Sequence, residues 1–323
     1  MTNESIDQVP AAYRATEDPE PANTSGPTAL HQRSSREEKT GRSRRLEYPP
    51  APQPLVGPII DNHTHLDFRD GLVEVNVHQA MDAAEQVGVI GAIQVGCNLE
   101  AARFTVEAVE AEHRLLGAVA IHPNDAARMA QRGELDDALD EIFTLANHPR
   151  IRAVGETGLD YFRTGPDGID AQKYSFRRHL DMAVRLDKAL QIHDRDAHDD
   201  VVEILDQADQ LPRHVVFHCF SGDASLARIC NDRGWMMSFA GPVSFKANDA
   251  LREAARIARP ELMLVETDAP FLTPHPYRGR PNAPYLTPLT LRTLASVRGI
   301  SEEAMAQTVL ENTLRVYGAF DAS

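Results

Sequence analysis

The chain has 323 residues, of which 42% are apolar, a composition typical of a soluble globular protein with a sizeable core. Its formal net charge of −15 repels nucleic acid and anionic membranes, so an anionic substrate would need a local basic patch or bound cations. No apolar run approaches the length of a membrane span, no signal-peptide pattern opens the chain, and the three cysteines form no C-x-x-C pair. These features predict a cytoplasmic protein with reduced thiols and no membrane partner.

The first 57 residues are rich in Pro, Ser, Thr, Glu and Arg and show no apolar periodicity. This composition predicts a disordered tail over residues 1–57, followed by a single domain over residues 58–320. Six basic residues between Arg33 and Arg45 could contact a polyanion. A solvated tail with no binding role is the simpler interpretation of the same cluster.

Within the predicted domain, apolar runs of strand length alternate with segments of helical periodicity. The runs lie near residues 59–62, 89–95, 115–121, 151–155, 189–192, 214–217, 235–240 and 262–265. The helical segments lie near residues 78–87, 99–113, 134–147, 170–187, 198–209, 223–233, 247–258, 288–298 and 301–311. Asn98 and Ser301 occupy helix N-cap positions, and Gly234 stands where a helix would end. Eight successive strand–helix units predict a closed (β/α)8 TIM barrel of the metal-dependent hydrolase type.

The first apolar run ends in His63 and His65, which are separated by one residue. Alternate residues of a strand point to the same side, so both imidazoles face one way. Two histidines at a strand end provide half of a metal site, although a His-x-His pair also occurs by chance. Four later runs are followed by further residues of metal-binding type, namely Glu156, His193, His218 and Asp268.

In a barrel these six side chains reach the same rim, because the carboxyl ends of all the strands lie together. Six ligands exceed the needs of one tetrahedral zinc ion and suit two divalent ions bridged by a carboxylate and a water. We predict that Glu156, from the middle of the strand order, is the bridge. The other five divide between two sites, with His63, His65 and Asp268 in one and His193 and His218 in the other. This ligand set favours Zn²⁺ or Mn²⁺ and also admits Mg²⁺.

Catalysis at such a centre needs a proton acceptor and groups that hold the substrate. We predict that Asp268 is the general base and that Glu156 is the second catalytic residue. Phosphate groups of a substrate could bind to His122, Arg195 and Arg278, since guanidinium groups match phosphate oxygens in shape and charge. Weaker candidates are Arg163, Lys246 and Arg280. Salt bridges to acidic residues would explain Arg195 and Arg278 equally well, and they are the simpler explanation for Lys246. Stacking on bases or packing in the protein would each account for Phe162, Phe220 and Phe271.

Most of the candidate residues fall in seven short blocks: Asp61–Asp67, Ile121–Pro123, Gly155–Tyr161, His193–Ala197, His218–Gly222, Glu266–Leu272 and Tyr277–Pro284. In order and content these blocks resemble the TatD family of metal-dependent hydrolases, over residues from about 59 to 318. The resemblance implies a TIM barrel, two divalent metal ions and metal-dependent deoxyribonuclease activity. It also implies metal-ligand roles for the six residues named above. The N-terminal tail lies outside it.

Three functions are compatible with this set of residues. The first is a deoxyribonuclease, acting as an exonuclease on single-stranded DNA or RNA, that cleaves phosphodiester bonds with a metal-activated water. The second is the hydrolysis of another ester or an amide, as by a D-aminoacyl-tRNA deacylase or a lactonase. The third is a binding barrel without catalysis, which the intact ligand set argues against. No lysine takes the bridging place of Glu156, which argues against an amidohydrolase with a carbamylated lysine.

Overall fold

The computed structural model describes most of the chain, namely residues 8–14, 26–36 and 41–320. Outside these ranges lie residues 1–7, 15–25, 37–40 and 321–323. Eight strands of the described part form one parallel sheet in which spatial neighbours follow the chain order. They are β1 (Ile59–Thr64), β2 (Val89–Gly96), β3 (Leu115–Val119), β4 (Ile151–Asp160), β5 (Ala189–Arg195), β6 (Val215–Phe217), β7 (Met236–Phe239) and β8 (Met263–Val265). Each lies close to its predicted position.

Backbone hydrogen bonds just beyond β8 close this sheet into a barrel. The amide of Asp268 donates to the carbonyl of His63 at 2.9 Å, and the amide of His65 donates to the carbonyl of Ala269 at 2.7 Å. Thr64 and Ala269 pair as a parallel bridge. The predicted TIM barrel is therefore confirmed, and the carboxyl ends of its first and eighth strands lie side by side.

The described part of the chain forms ten α-helices around the barrel. They are α1 (Val77–Glu85), α2 (Leu99–Ala111), α3 (Pro123–Arg132), α4 (Leu135–Ala146), α5 (Ile169–Arg185), α6 (His198–Asp206), α7 (Ala224–Arg233), α8 (Asp249–Ile257), α9 (Thr287–Arg298) and α10 (Glu302–Tyr317). The predicted caps are confirmed, because the side chains of Asn98 and Ser301 accept amide hydrogen bonds and Gly234 ends α7 at φ 72°. No helix in the described ranges is long and apolar enough to cross a membrane.

Helix α3 has no counterpart in the sequence prediction. It begins at Pro123, where a missing N–H suits the first turn, and ends at Gly133 with φ 70°. Its buried residues are one proline and two alanines, and its one large apolar residue, Met129, is only partly buried, so no apolar periodicity marks the inner face. Strands β4 and β5 also run further than predicted, to Asp160 and Arg195. Both extensions carry side chains to the rim of the barrel.

Described parts of the N-terminal segment pack on the barrel, which corrects the prediction of disorder for those residues. Tyr13 and Tyr48 are buried, and the centroid of the Tyr13 ring lies 4.5 Å from that of Tyr48 and 5.1 Å from that of Tyr285. The hydroxyl of Tyr285 donates to the carbonyl of Pro49 at 2.6 Å. Composition hides such contacts, because two aromatic side chains suffice to hold an otherwise polar segment. The start of an independent domain at residue 58 stays a prediction.

The same segment continues to the rim of the barrel. His31–Gln32 pairs as a short parallel strand with Phe68–Arg69, a few residues beyond β1. Arg280 donates to the carbonyls of Glu47 and Tyr48 at 2.9 and 2.6 Å. The N-terminal segment therefore contacts both the connection after β1 and the connection after β8, which flank the first predicted metal site.

Candidate active site

The six predicted metal ligands lie together at the carboxyl ends of the strands. His63 is fully buried at the end of β1 and His65 follows directly after it, while Glu156 and His193 lie within the long strands β4 and β5. The other two follow the ends of β6 and β8, namely His218 and Asp268. All but His63 line an open cleft of about 1080 Å³. The fold thus brings every predicted ligand to one place.

Glu156 lies at the centre of this group. Its Oε1 is 3.7 Å from Nε2 of His65, and its Oε2 is 2.6 Å from Nε2 of His218 and 3.2 Å from Nδ1 of His193. Three sets of ligand-type residues, each with donor atoms within 4.8 Å of one another, share it: His63–Glu156–His218, His65–Cys97–Glu156 and His122–Glu156–His193. A carboxylate that bridges two cations would occupy such a central position.

His63, His65 and Asp268, which the sequence analysis assigned to one site, form a fourth set on one side of Glu156. The Nε2 atoms of His63 and His65 are 3.2 Å apart, and Oδ1 of Asp268 is 3.5 Å from Nε2 of His65. The second predicted set is less compact. The ring of His218 stacks on that of His63 with centroids 3.8 Å apart, whereas the centroids of His193 and His218 are 5.9 Å apart. His218 therefore lies between the two sides of the cluster.

Two of these histidines are held by hydrogen bonds at Nδ1, the ring nitrogen that points away from the cleft. Nδ1 of His65 lies 2.9 Å from the carbonyl oxygen of Val95, and Nδ1 of His218 lies 3.2 Å from Oε1 of Glu266. Because both partners are acceptors, each Nδ1 carries a proton and each Nε2 faces the cleft. Burial lowers the pKa of both imidazoles, but neighbouring carboxylates, including Glu156, outweigh it and raise both pKa values, so Nε2 is the position where a cation would replace a proton. The same Glu266 oxygen accepts the amide hydrogen of Cys219 at 2.7 Å, which fixes the carboxylate. Metal-binding histidines commonly have this support.

His193 is supported at its other ring nitrogen. Its Nε2 lies 3.2 Å from Oδ2 of Asp160 and its Nδ1 lies 3.2 Å from Oε2 of Glu156, so Nδ1 is the atom that faces the other candidate ligands. Burial raises the pKa of Asp160, but hydrogen bonds from His193 and the Arg163 amide outweigh it and hold that pKa below its ordinary value. The ionised Asp160 is also held by the side-chain amide of Asn124 at 3.1 Å. It therefore orients His193 as a ligand.

His122 presents a proton rather than a lone pair. Its Nδ1 accepts the amide hydrogen of Asn124 at 3.1 Å, at the start of α3. Burial and the neighbouring His193 lower the pKa of His122 to about 3, so the ring is neutral and its single proton is on Nε2. That nitrogen lies 4.0 Å from Oε1 of Glu156. His122 thus fits the predicted role of substrate contact better than that of a metal ligand.

The charge state of the cluster suits a cation. Burial raises the pKa of Glu156, but His218 and His193 outweigh it and hold the pKa well below its ordinary value. Burial and the neighbouring His218 lower the pKa of His63 well below its ordinary range, so this imidazole is neutral. Its Nδ1 is buried and has no hydrogen-bond partner among the described residues. An ionised carboxylate among imidazole nitrogens matches the donor preferences of divalent zinc or manganese.

The predicted phosphate-binding residues divide into two groups. Arg195 and Arg163 line the cleft, and the guanidinium carbon of Arg195 lies 4.0 Å from the ring centroid of Phe162. Arg278 is exposed and does not line the cleft. Its guanidinium carbon lies 4.4 Å from the ring centroid of Phe245 instead. The structure therefore brings Arg195 to the candidate ligands and does not bring Arg278 there. Substrate binding by either residue stays a prediction.

The remaining candidates are placed as follows. Arg280 holds the N-terminal segment through the two carbonyl contacts described above, so it has a structural role. Lys246 is exposed and does not line the cleft. Phe220 is buried beside Phe239, with ring centroids 5.6 Å apart, whereas Phe271 lines the cleft. Of these four side chains, only that of Phe271 is in a position to meet a substrate.

Sequence reasoning missed three polar residues that contact the candidate ligands. Asp160 and Glu266 orient His193 and His218, and both lie inside the blocks noted above, which was the available signal. The thiol of Cys97 donates to Oε1 of Glu156 at 3.1 Å. Nothing in the sequence separates this cysteine from an ordinary reduced thiol, because its neighbours in the cleft come from other strands.

A barrel with a histidine and carboxylate cluster at the carboxyl ends of its strands is the architecture of metal-dependent hydrolases. The family model described as TatD related DNase matches residues 60–318. The chain therefore belongs to the TatD family of metal-dependent hydrolases, as the sequence blocks implied.

Individual relatives agree with this assignment. The chain is 42% identical over 264 residues to the uncharacterized metal-dependent hydrolase TatD of Mycobacterium tuberculosis, covering 80% of this chain and 98% of the relative. It is 31% identical over 259 residues to the uncharacterized metal-dependent hydrolase YabD of Bacillus subtilis, covering 80% and 98%. The crystal structure of the TatD homologue YJJV from Escherichia coli matches with a TM-score of 0.72 and 26% identity, covering 81% of this chain and 98% of that one.

Proposed function

We propose that this protein is a metal-dependent nuclease that hydrolyses phosphodiester bonds, acting as an exonuclease on single-stranded DNA or RNA. The proposal places two divalent cations in the cluster, held by His63, His65, Glu156, His193, His218 and Asp268. Mg²⁺, Mn²⁺ and Zn²⁺ are the candidate ions. We also propose a cytoplasmic location, because all three cysteines are free thiols.

One observation carries the choice of a phosphodiester over other esters. The formal net charge of the chain is −15, yet four arginines line this cleft: Arg33, Arg128, Arg163 and Arg195. The same cleft has six carboxylates, so it is not uniformly basic. Of these, Glu156 and Asp268 are candidate metal ligands whose charge bound divalent cations would offset. Asp125 pairs with Arg128 at 2.5 Å, so Arg128 is less available to a substrate than the other arginines. Arginines around a cation-binding floor are the groups through which this acidic protein would hold an anionic substrate, whereas a neutral ester would not need them.

The protein groups have separable roles in the proposed reaction. Divalent cations, when bound, supply the Lewis acidity that activates a water molecule and offsets the charge of the phosphate. Asp268 takes the proton of that water, because its carboxylate faces the cleft beside His65 Nε2. Its backbone has the left-handed φ of 55° and its amide donates to His63, which together fix the side chain. His122 donates its Nε2 proton and Arg195 its guanidinium protons to phosphate oxygens.

The proposal is tested by presenting three substrate classes to the same preparation. Single-stranded DNA, single-stranded RNA and p-nitrophenyl acetate are incubated with Mg²⁺, Mn²⁺, Zn²⁺ or EDTA, and products are resolved by electrophoresis or absorbance. We expect cleavage of a linear oligonucleotide that EDTA abolishes. A circular single-stranded DNA of the same composition should resist, because an exonuclease needs an end.

The other outcomes separate the alternatives. Cleavage of the circle would replace the exonuclease with an endonuclease. Metal-dependent hydrolysis of the acetate ester, or of a D-aminoacyl-tRNA, with intact oligonucleotides would replace the nuclease with an ester hydrolase. Metal binding without hydrolysis of any of these substrates would point to a barrel that has lost catalysis.

A further inference from the structure

Arg33 reaches the cleft from the N-terminal segment, which lies outside residues 60–318 matched by the family model. It follows the short strand His31–Gln32 and lines the same cleft as His65 and Asp268. Its presence there depends on the docking of this segment on the barrel. Arg33 is thus a feature that this chain adds to the site of the family barrel.

The guanidinium of Arg33 is held in place by one of its nitrogens. Nη1 donates to Oδ2 of Asp70 at 3.1 Å and to the carbonyl of Pro270 at 2.6 Å. The guanidinium carbon lies 4.7 Å from the ring centroid of Phe271. No acceptor in the described ranges pairs with Nε or Nη2. An arginine that is fixed by stacking and by one nitrogen keeps donors for the oxygens of a further anionic group.

Asp70 does not need the charge of Arg33. Arg44 already donates to both oxygens of this buried carboxylate, at 2.9 and 2.7 Å, and the side chain of Arg44 is only 4% exposed. Two guanidinium groups therefore share one carboxylate, which leaves a positive charge in excess. The side chain of Arg33 is 27% exposed, so the excess charge faces the cleft.

A single aromatic ring separates this charge from the candidate metal ligands. The ring centroid of Phe271, on which Arg33 stacks, lies 6.0 Å from that of His65. Phe68 completes this wall, with its ring centroid 5.8 Å from that of Phe271. Arg33 therefore lies beside the candidate metal ligands, where it would meet the substrate group adjacent to the one that reacts.

We propose that Arg33 is a substrate-binding residue whose guanidinium binds the phosphate adjacent to the scissile phosphate of a nucleic-acid strand. This inference rests on the proposed nuclease function and adds a subsite to it. It requires a substrate with at least two phosphates. It also gives the N-terminal segment a role in the site, because removal of the segment removes this contact.

The experiment compares Arg33→Met with Arg36→Met in the full chain. Both changes remove one positive charge from the same segment, but Arg36 is exposed and does not line the cleft. Asp70 should keep its two bonds to Arg44 in either variant, and circular dichroism melting checks that both variants are folded. Methionine keeps an apolar side chain over Phe271. Arg33→Lys adds a variant with the charge but without the planar fork.

Binding is measured apart from catalysis. A fluorescein-labelled single-stranded 12-mer is titrated in EDTA by anisotropy over a range of salt concentrations. We expect Arg33→Met to raise Kd roughly tenfold, as for a lost charge-assisted hydrogen bond, and Arg36→Met to change it by less than about twofold. The slope of log Kd against log salt should fall by about 0.7 in Arg33→Met alone, because one phosphate contact is lost.

The kinetic arm separates a phosphate contact from a structural effect. KM for the 12-mer should rise in Arg33→Met in parallel with Kd, while kcat for bis(p-nitrophenyl) phosphate, which has a single phosphate, stays within about twofold of the unmodified value. Equal Kd and KM in Arg33→Met and Arg36→Met would overturn the role of Arg33. A parallel loss with the single-phosphate substrate would also overturn it, in favour of a structural role.

Failure of the nuclease function is seen separately in the unmodified protein. If that protein binds the 12-mer without cutting it, the proposed reaction is wrong, and the Kd comparison alone decides the role of Arg33. If it neither binds nor cuts the 12-mer, both proposals are overturned.

Discussion

Oε2 of Glu156 and Nε2 of His218 lie 2.6 Å apart across the floor of the cleft. The two atoms come from strands four and six of the barrel, and Nδ1 of the same histidine is held by Glu266. Nε2 of His218 thus faces a carboxylate, an arrangement that is favourable when a proton or a cation lies between the two atoms. Divalent metal therefore has a structural reason to bind at this pair.

Replacing Glu156 should remove bound metal. Glu156→Gln keeps the size of the side chain but removes the negative charge shared by three of the four ligand sets. We expect inductively coupled plasma mass spectrometry of the purified variant to show most of the divalent metal gone. Glu107→Gln, at an exposed position on α2, is the matched control and should keep full metal content. Undiminished metal in Glu156→Gln would eliminate Glu156 as the bridge.

Asp160 should tune metal affinity without being a ligand. Asp160→Asn removes the ionised acceptor that holds the Nε2 proton of His193 at 3.2 Å. Loss of such a partner typically weakens metal binding by about 10- to 100-fold. Competition with a chromogenic chelator measures this affinity, and melting temperature checks the fold. An unchanged affinity would mean that His193 is oriented by Glu156 alone or does not bind metal.

Asp268 should affect the rate more than the fold. Asp268→Asn keeps the shape of the side chain and removes its basicity, and general base catalysis is worth about 10²- to 10⁴-fold. We expect kcat to fall by that factor at saturating Mg²⁺ or Mn²⁺. The midpoint of urea unfolding should change little, because Asp268 lies at the rim of the cleft. A stable variant with nearly normal kcat would rule out the role of general base.

Tyr13 should contribute to global stability, although it lies 46 residues before the first barrel strand. Tyr13→Ala removes a buried ring that contacts Tyr48 and Tyr285, and large-to-alanine changes at such sites cost about 3 kcal/mol. Urea unfolding measures this loss. Tyr174→Ala, at a 43% exposed position on α5, should cost less than half as much. Equal stabilities of the Tyr13 variant and the unmodified protein would show that the segment docks without supporting the barrel.

Glu112 should make stability fall in acid. Burial raises the pKa of Glu112, but hydrogen bonds from Arg114 and His78 outweigh it and lower the pKa to about 2, from an ordinary value of 4.5. A carboxylate with a lowered pKa stabilises the fold fully above its unfolded pKa, and this contribution is lost as pH falls through the folded pKa. The stabilisation by Glu112 is therefore complete above pH 4.5 and disappears toward pH 2.

Urea unfolding at a series of pH values tests this dependence. The free-energy difference between the unmodified protein and Glu112→Gln should be largest near neutral pH and should shrink between pH 4.5 and 2. Glu110→Gln, whose partner His148 lies 3.2 Å away at a largely exposed site, should show a small difference throughout. A difference for Glu112→Gln that does not change with pH would mean that packing, not charge, is what the substitution removes.

The barrel and the cluster were predictable because both follow from local sequence. Alternating apolar runs fix the order of strands, and parallel strands must carry their carboxyl ends to one rim. His63, His65 and Asp268 could therefore be grouped before the structure was known, because a closed barrel makes the first and last strands neighbours.

Other features depend on contacts that local sequence does not contain. The grouping of His218 with His63 depends on how far each ring leans across the barrel, and the proton on His122 depends on the amide of Asn124. The packing of Tyr13 and the placement of Arg33 both require surfaces formed by residues more than two hundred positions later. Composition averages over a segment, so a few buried anchors in a polar stretch are invisible to it.

The docking of the N-terminal segment also has a consequence for the order of events during synthesis. Tyr13 leaves the ribosome early, whereas its partner Tyr285 and the carbonyl of Pro270 that Arg33 contacts are made near the end. A nascent chain cannot complete this contact until the loop carrying Asp268 has been translated. A fully docked segment therefore identifies a molecule in which Asp268, the last of the six candidate ligands, has already been made. Nascent chains that stop before Asp268 lack both this ligand and the complete docking contacts.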